Sequence, residues 1–170
     1  MSLTFLLGGA RSGKSSLAIE LARRWTGPVT FIATGEPGDD EMAERIRVHR
    51  SERPADWATV EAPLEVREAF DCVADETAVV LDCLSLWVAN LLARGDEAHE
   101  IEAECAAVSA LAAARRSLTV AVSNEVGLGV VPTSELGRRY RDLLGRINAR
   151  WAADAEHAAF VVAGRSLPLS

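Results

Sequence analysis

The stretch that most constrains the fold is "FLLGGARSGKSS", residues 5 to 16. Gly8 through Ser15 satisfy the pattern G-x-x-x-x-G-K-[ST] at every fixed position. Such a loop needs a buried strand in front of it and a helix behind it. Leu3 to Leu7 read as that strand, and Leu17, Ile19, Leu21, Ala22 and Trp25 form an apolar helical pattern behind. Gly8, Gly9 and Gly13 let the backbone turn tightly enough for successive N–H groups to face phosphate oxygens, and the helix adds its positive end. Lys14 supplies a mobile charge for the outer phosphates. The Ser15 hydroxyl is placed to join the coordination shell of a magnesium ion between two phosphates.

The rest of the chain alternates strand and helix patterns without an internal repeat. "VTFIAT" (29 to 34), "TAVVLD" (77 to 82), "LTVAVSN" (118 to 124) and "AAFVVAG" (158 to 164) read as strands, and "WATVEA" (57 to 62) as a short segment after the first charged helix. Between them lie a charged helix from Asp39 to about Glu52, a helix over 63 to 74 opened by Pro63, two further helical patterns of which the second carries Ile101, Cys105, Val108 and Leu111, and an amphipathic helix marked by Leu136, Tyr140, Leu143, Leu144, Ile147 and Trp151. Alternation of this kind, with continuous apolar strands, predicts an α/β fold: one P-loop NTPase-like domain over residues 1–170, with a mostly parallel sheet covered by helices on both faces. Ligands are then expected at the carboxyl ends of the strands.

With 170 residues and a net charge of -7, the chain is long enough for one substantial domain and lacks the basic stripe of a nucleic-acid binder. No stretch reaches the length of a membrane span, and the first residues lack the pattern of a signal peptide, so a cytoplasmic location is expected. Cys72, Cys83 and Cys105 are odd in number and set in apolar sequence, which predicts buried small hydrophobes and not a disulfide or zinc framework.

A second phosphate-site signal is Val79-Val80-Leu81-Asp82, an apolar strand ending in a carboxylate that would hold magnesium. An N-K-x-D guanine-reading motif is absent from the sequence, and the chain is short for a motor ATPase. A small kinase or nucleotidyl transferase acting on a metabolite remains. Of the three histidines, His99 and His157 read as structural or exposed. His49 falls with Arg45, Glu52 and Arg53 near one face of its helix. Composition alone favours an ordinary surface histidine there. The alternative is a nucleophile that attacks phosphorus while guanidinium groups neutralise the phosphate charge.

"GGARSGKS", "FIATGEPGDDEMAERIRVHRSERPADWATVEAP", "VVLDCLSLWVANLL" and "SNEVGLGVVP", in this order, resemble the bifunctional adenosylcobinamide kinase / adenosylcobinamide-phosphate guanylyltransferase family of cobalamin biosynthesis. The similarity covers essentially the whole chain. The resemblance implies transfer of a γ-phosphoryl from ATP or GTP to the aminopropanol hydroxyl of adenosylcobinamide. It further implies attack by a histidine on the α-phosphorus of GTP, followed by transfer of GMP to adenosylcobinamide phosphate, giving adenosyl-GDP-cobinamide. Carried over by motif, the histidine is His49. The nucleotide contacts map onto Gly9, Ala10, Arg11, Ser12, Gly13, Lys14, Ser15 and Ser16, then Thr34, Gly35 and Glu36, then Arg50, Ser51, Glu52 and Arg53, then Glu61 and Asp82. Ser15 and Asp82 are the expected magnesium ligands.

The family also implies a homotrimer. Asn124 and Glu125 are expected either near the acceptor or as loop braces. Residues 35 to 54, with Gly35, Pro37 and Gly38 at their base, are expected to move. Other readings remain open: a metabolite kinase without the transferase activity, and a GTP-binding protein that turns nothing over.

Overall fold

The strands read as unbroken apolar runs because both of their faces are covered. All five residues of Val29–Ala33 are buried, as are four of the five in Ala78–Asp82. The computed structural model describes residues 3–38, 40–51 and 53–169; the side chains of Glu41, Met42 and Arg45 are outside that description. In chain order the elements are β1 (Leu3–Gly8), α1 (Lys14–Ala22), β2 (Val29–Ala33), α2 (Asp40–Ser51), β3 (Ala58–Glu61), α3 (Val66–Asp71), β4 (Ala78–Asp82), α4 (Leu84–Arg94), α5 (Ala98–Ala114), β5 (Thr119–Asn124), α6 (Glu135–Asp154), β6 (His157–Val162) and β7 (Arg165–Pro168).

The strands form one seven-stranded sheet in the order β3-β2-β4-β5-β1-β6-β7. Every pairing is parallel except that of β6 with β7. Alternate residues of a strand face opposite sides, so Phe5 joins one apolar layer and Leu6 the other. The first layer is closed by α3, α4, α5 and α6, with Trp87 and Trp151 its largest buried side chains. The second is closed by α1 through Ala18, Ile19 and Ala22. The expected α/β architecture with helices on both faces is therefore present.

Four local expectations change. Trp25 lies beyond the end of α1, and it still packs against the second layer. Pro63 does not open a helix: α3 starts at Val66 after Glu65, and the Pro63 carbonyl instead accepts a hydrogen bond from Asn90. Cys72 is exposed, whereas Cys83 and Cys105 are buried as expected. The strand beginning near residue 158 is not the last. After Val162 the chain turns through Ala163 and Gly164, both at positive φ, and returns antiparallel as β7. Asp39, the alternative cap to Asp40 for α2, lies outside the described residues.

Candidate active site

The loop between β1 and α1 is shaped by close packing. A Cβ on Gly8 would sit 2.2 Å from the Val161 carbonyl oxygen, so only glycine lets β1 run this close to β6. Gly13 caps α1 at φ 99°, a left-handed conformation that a side chain would strain. Gly9 carries no such demand: its φ is not left-handed and a Cβ there meets nothing within 4 Å. Arg11 takes φ 56° at the exposed crest. The β6–β7 turn braces the loop through the Gly164 N–H, which donates to the Ser12 carbonyl at 2.9 Å.

Within the loop Ser12 and Lys14 are buried, Gly9, Gly13 and Ser15 are half-buried, and Ala10 and Ser16 are exposed. Lys14 folds back so that Nζ donates to the Gly9 carbonyl at 2.6 Å, with Ser12 Oγ at 3.4 Å. Burial pushes the Lys14 ammonium down from its usual range, against the raising influence of Cys83 and the Asp82 carboxylate. In the sheet only β5 separates β4 from β1, whose carboxyl end leads into the loop. Asp82 is half-buried at the end of β4.

Thr34, just past β2, is fully buried. Its N–H donates to the Asp82 carbonyl, and its Oγ1 both accepts from the Cys83 N–H and donates to the Cys83 carbonyl, each at 2.8 Å. Its own carbonyl accepts from Asn90 Nδ2 at 2.9 Å. Thr34 thus fastens β2 to the Asp82–Cys83 step through its N–H and hydroxyl, and to α4 through its carbonyl. Gly35 is half-buried with Ile46 of α2 against it, and Glu36 is exposed.

On the far side of β2, the last turn of α2 presents a half-buried His49 and an exposed Arg50. Arg50 pairs with Glu61, at the carboxyl end of β3, at 3.8 Å. The exposed Ser51 hydroxyl donates to the Val48 carbonyl inside its own helix. Glu52 lies outside the described residues. Arg53 follows the helix, half-buried, with its guanidinium carbon 3.7 Å above the centre of the Phe31 ring. Desolvation lowers the pKa of Arg53, opposed by the nearby Glu61 and Asp82 carboxylates and reinforced by Arg50. Lys14, Asp82, Arg53, Arg50 and Glu61 therefore form a row along the carboxyl edge of the sheet. From β1 to β3 the row crosses four strand spacings, about 19 Å.

Behind the row is a polar cluster that motif reading did not find. Ser85 Oγ lies 3.0 Å from Cys83 Sγ and accepts from Asn124 Nδ2 at 2.9 Å, while Tyr140 Oη donates to the Ser85 carbonyl at 3.0 Å. Burial pushes the Cys83 thiol up to about 11 and the Tyr140 phenol up to about 12. The Glu125 N–H donates to the Gly8 carbonyl, and the Glu125 carboxylate accepts from the Gly127 N–H. Glu125 thus braces the turn after β5, and Asn124 ties the end of β5 to Ser85. The sequence signals for the cluster were the "VVLDCLSLWVANLL" block, which holds Cys83 and Ser85, and the "SNEVG" block, which holds Asn124.

The donor set is consistent with a magnesium ion. Ser15 and Asp82 offer hard oxygens beside a phosphate loop, and among the described residues no group of three or more His, Cys, Asp or Glu could hold a metal without help. Magnesium commonly takes one or two protein oxygens and fills its octahedron with phosphate and water.

Loop, carboxylate-tipped strand and parallel sheet together define a P-loop enzyme of nucleotide chemistry. More narrowly, the chain belongs to the cobinamide kinase / cobinamide phosphate guanyltransferase family, which it matches over residues 4–169. It is 42% identical over 165 residues to the bifunctional adenosylcobalamin biosynthesis protein CobP of Pseudomonas aeruginosa, covering 96% of this chain and 95% of that protein. To the proteins named CobU of Salmonella typhimurium and Escherichia coli it is 39% identical, over 95% of this chain and 96% of each. Among solved structures, a prototypical ATPase from the type III secretion system of pathogenic bacteria superposes with a TM-score of 0.49 at 11% identity, over 98% of this chain and 56% of that one. Among the described residues no helix is long and apolar enough to cross a membrane.

Proposed function

We propose that this chain, as one catalytic domain over residues 1–170, carries out both reactions of its family in the cytoplasm, with adenosylcobinamide and adenosylcobinamide phosphate as acceptors and ATP or GTP as donors. The observation that carries the reading is the row along the carboxyl edge of the sheet. At one end are a phosphate loop, Lys14 and Asp82; at the other are Arg53 and Arg50, and His49 precedes Arg50 in the last turn of α2.

In the kinase step the loop N–H groups hold the triphosphate, and Lys14 exchanges the Gly9 carbonyl for phosphate oxygens as charge builds on the transferring group. The acceptor oxygen forms a bond to the γ-phosphorus and the β–γ anhydride bond breaks. In the transferase step a ring nitrogen of His49 attacks the α-phosphorus of GTP, the α–β bond breaks, and pyrophosphate leaves. Arg50 and Arg53 are close enough along the chain to neutralise the attacked phosphate. The acceptor phosphate then displaces His49 from the GMP phosphorus. Magnesium held by Ser15 and Asp82 would supply neutralisation of phosphate charge. Because the row spans about 19 Å, the two steps need either a shifted donor or an inward movement of α2, which is the role assigned to residues 35 to 54. A trimer, implied by the family, is part of the same proposal.

The test is covalent labelling. Incubation with magnesium and GTP labelled at the α-phosphorus is expected to leave acid-labile, alkali-stable label on the protein. Label at the γ-phosphorus should leave none, and His49→Ala should abolish the α-label. Absence of label with GTP binding intact would leave only the kinase half.

A further inference from the structure

Arg53 is held in an unusual way for a guanidinium at a phosphate site. Its guanidinium carbon lies over the Phe31 ring, 3.7 Å from the centroid, and its Nε and Nη1 groups are buried with no hydrogen-bond partner among the described residues. Phe31 is 2% exposed in the middle of β2, paired with Thr59 of β3 and Val80 of β4, so the ring is fixed by the sheet. On the Arg53 side, the backbone is set by its N–H bond to the Arg50 carbonyl and by the turn in which the Trp57 N–H donates to the Pro54 carbonyl.

The geometry decides what such a holder does. Guanidinium N–H donors lie in the plane of the group, whereas an aromatic ring binds it through the face. A carboxylate at the same position would consume the fork of donors; the ring consumes none of them, and Nε and Nη1, buried in this state, stay unspent until an oxyanion reaches them. Glu61 and Asp82 are near enough to stabilise the charge, and neither accepts from the two buried donors.

We propose that Phe31 is a positioning residue: its ring carries Arg53 and orients two unspent donors toward a phosphate of the nucleotide. This rests on the reading that Arg53 belongs to the nucleotide site. Phe31 itself touches no reacting group and acts through Arg53.

A double-mutant cycle tests it, with GTP and magnesium titrated calorimetrically against the wild type, Phe31→Leu, Arg53→Ala and the double variant, each checked for a native melting transition. Phe31→Leu is expected to weaken GTP binding roughly 3- to 30-fold, the range of a desolvated cation–π contact, and Phe31→Tyr to restore most of it. In the Arg53→Ala background the same change should cost less than about twofold, since the ring then has nothing to hold. An undiminished Phe31→Leu effect in that background would overturn the inference, as would Arg53→Ala with wild-type affinity. Should Phe31→Leu fail to fold, Phe31→Met serves in the same cycle. Failure of the functional reading looks different: GTP would bind equally well to Lys14→Ala, or His49 would take no label.

Discussion

At the scale of single residues, the loop makes different demands of two adjacent glycines. A methyl at Gly8 would collide with the Val161 carbonyl at 2.2 Å, and backbone cannot step aside as a side-chain tip can. Gly8→Ala is therefore expected to cost about 1 to 3 kcal/mol in urea unfolding, while Gly9→Ala, which meets no atom within 4 Å, stays within about 0.5 kcal/mol of the wild type. Equal losses for the two would show that packing against β6 does not set the loop. The sequence pattern identified Gly8, Gly13, Lys14 and Asp82, because each belongs to a local motif whose chemistry dictates spacing. It could not distinguish the duties of Gly8 and Gly9. Nor could it reveal that Thr34 is committed inward: its partners, Cys83 and Asn90, are 49 and 56 positions away. Hydrogen bonds between strands that are distant in sequence leave no periodic trace.

At the scale of elements, α5 and α6 are clasped by a short polar contact. The Ser109 hydroxyl, buried in α5, donates to Asp154 Oδ2 at 2.8 Å, and Arg150 Nε donates to the same oxygen at 2.6 Å. Burial raises the Asp154 carboxyl, but the hydrogen bonds from Arg150 and Ser109 and the Arg150 charge outweigh it, and the net shift is downward. A carboxyl lowered in the folded state stabilises above its unfolded pKa and loses that contribution as pH falls through the folded value. The advantage of the wild type over Ser109→Ala should accordingly be full near neutrality and shrink below about pH 4, as read from denaturant midpoints across pH. An advantage independent of pH would assign Ser109 a packing role only. Most helices and strands were legible from their apolar period. The exceptions have physical reasons: β7 is exposed along its whole length, so burial writes no pattern into Arg165–Pro168, and Pro63 sits in a bend ahead of α3 that composition alone cannot tell from a helix start.

At the scale of the molecule, an acidic chain gathers Lys14, Arg50 and Arg53 along one edge of its sheet. The architecture was readable because parallel strands covered on both faces must be apolar throughout. The strand order was not, since nothing local tells β1 to lie between β5 and β6. If α2 moves inward over bound nucleotide, GTP with magnesium should slow amide exchange across residues 40–51 well beyond any change in α5. Indifference of that helix would mean the donor, not the protein, shifts between the two reactions. The brace from Gly164 to Ser12 has a consequence for biosynthesis. The phosphate loop precedes the hairpin of β6 and β7 by most of the sheet, and its brace is not made until that hairpin has been synthesised. A nascent chain therefore carries the loop's residues long before it carries the loop's shape, and competence to hold a nucleotide arrives late, as a property of the nearly finished sheet.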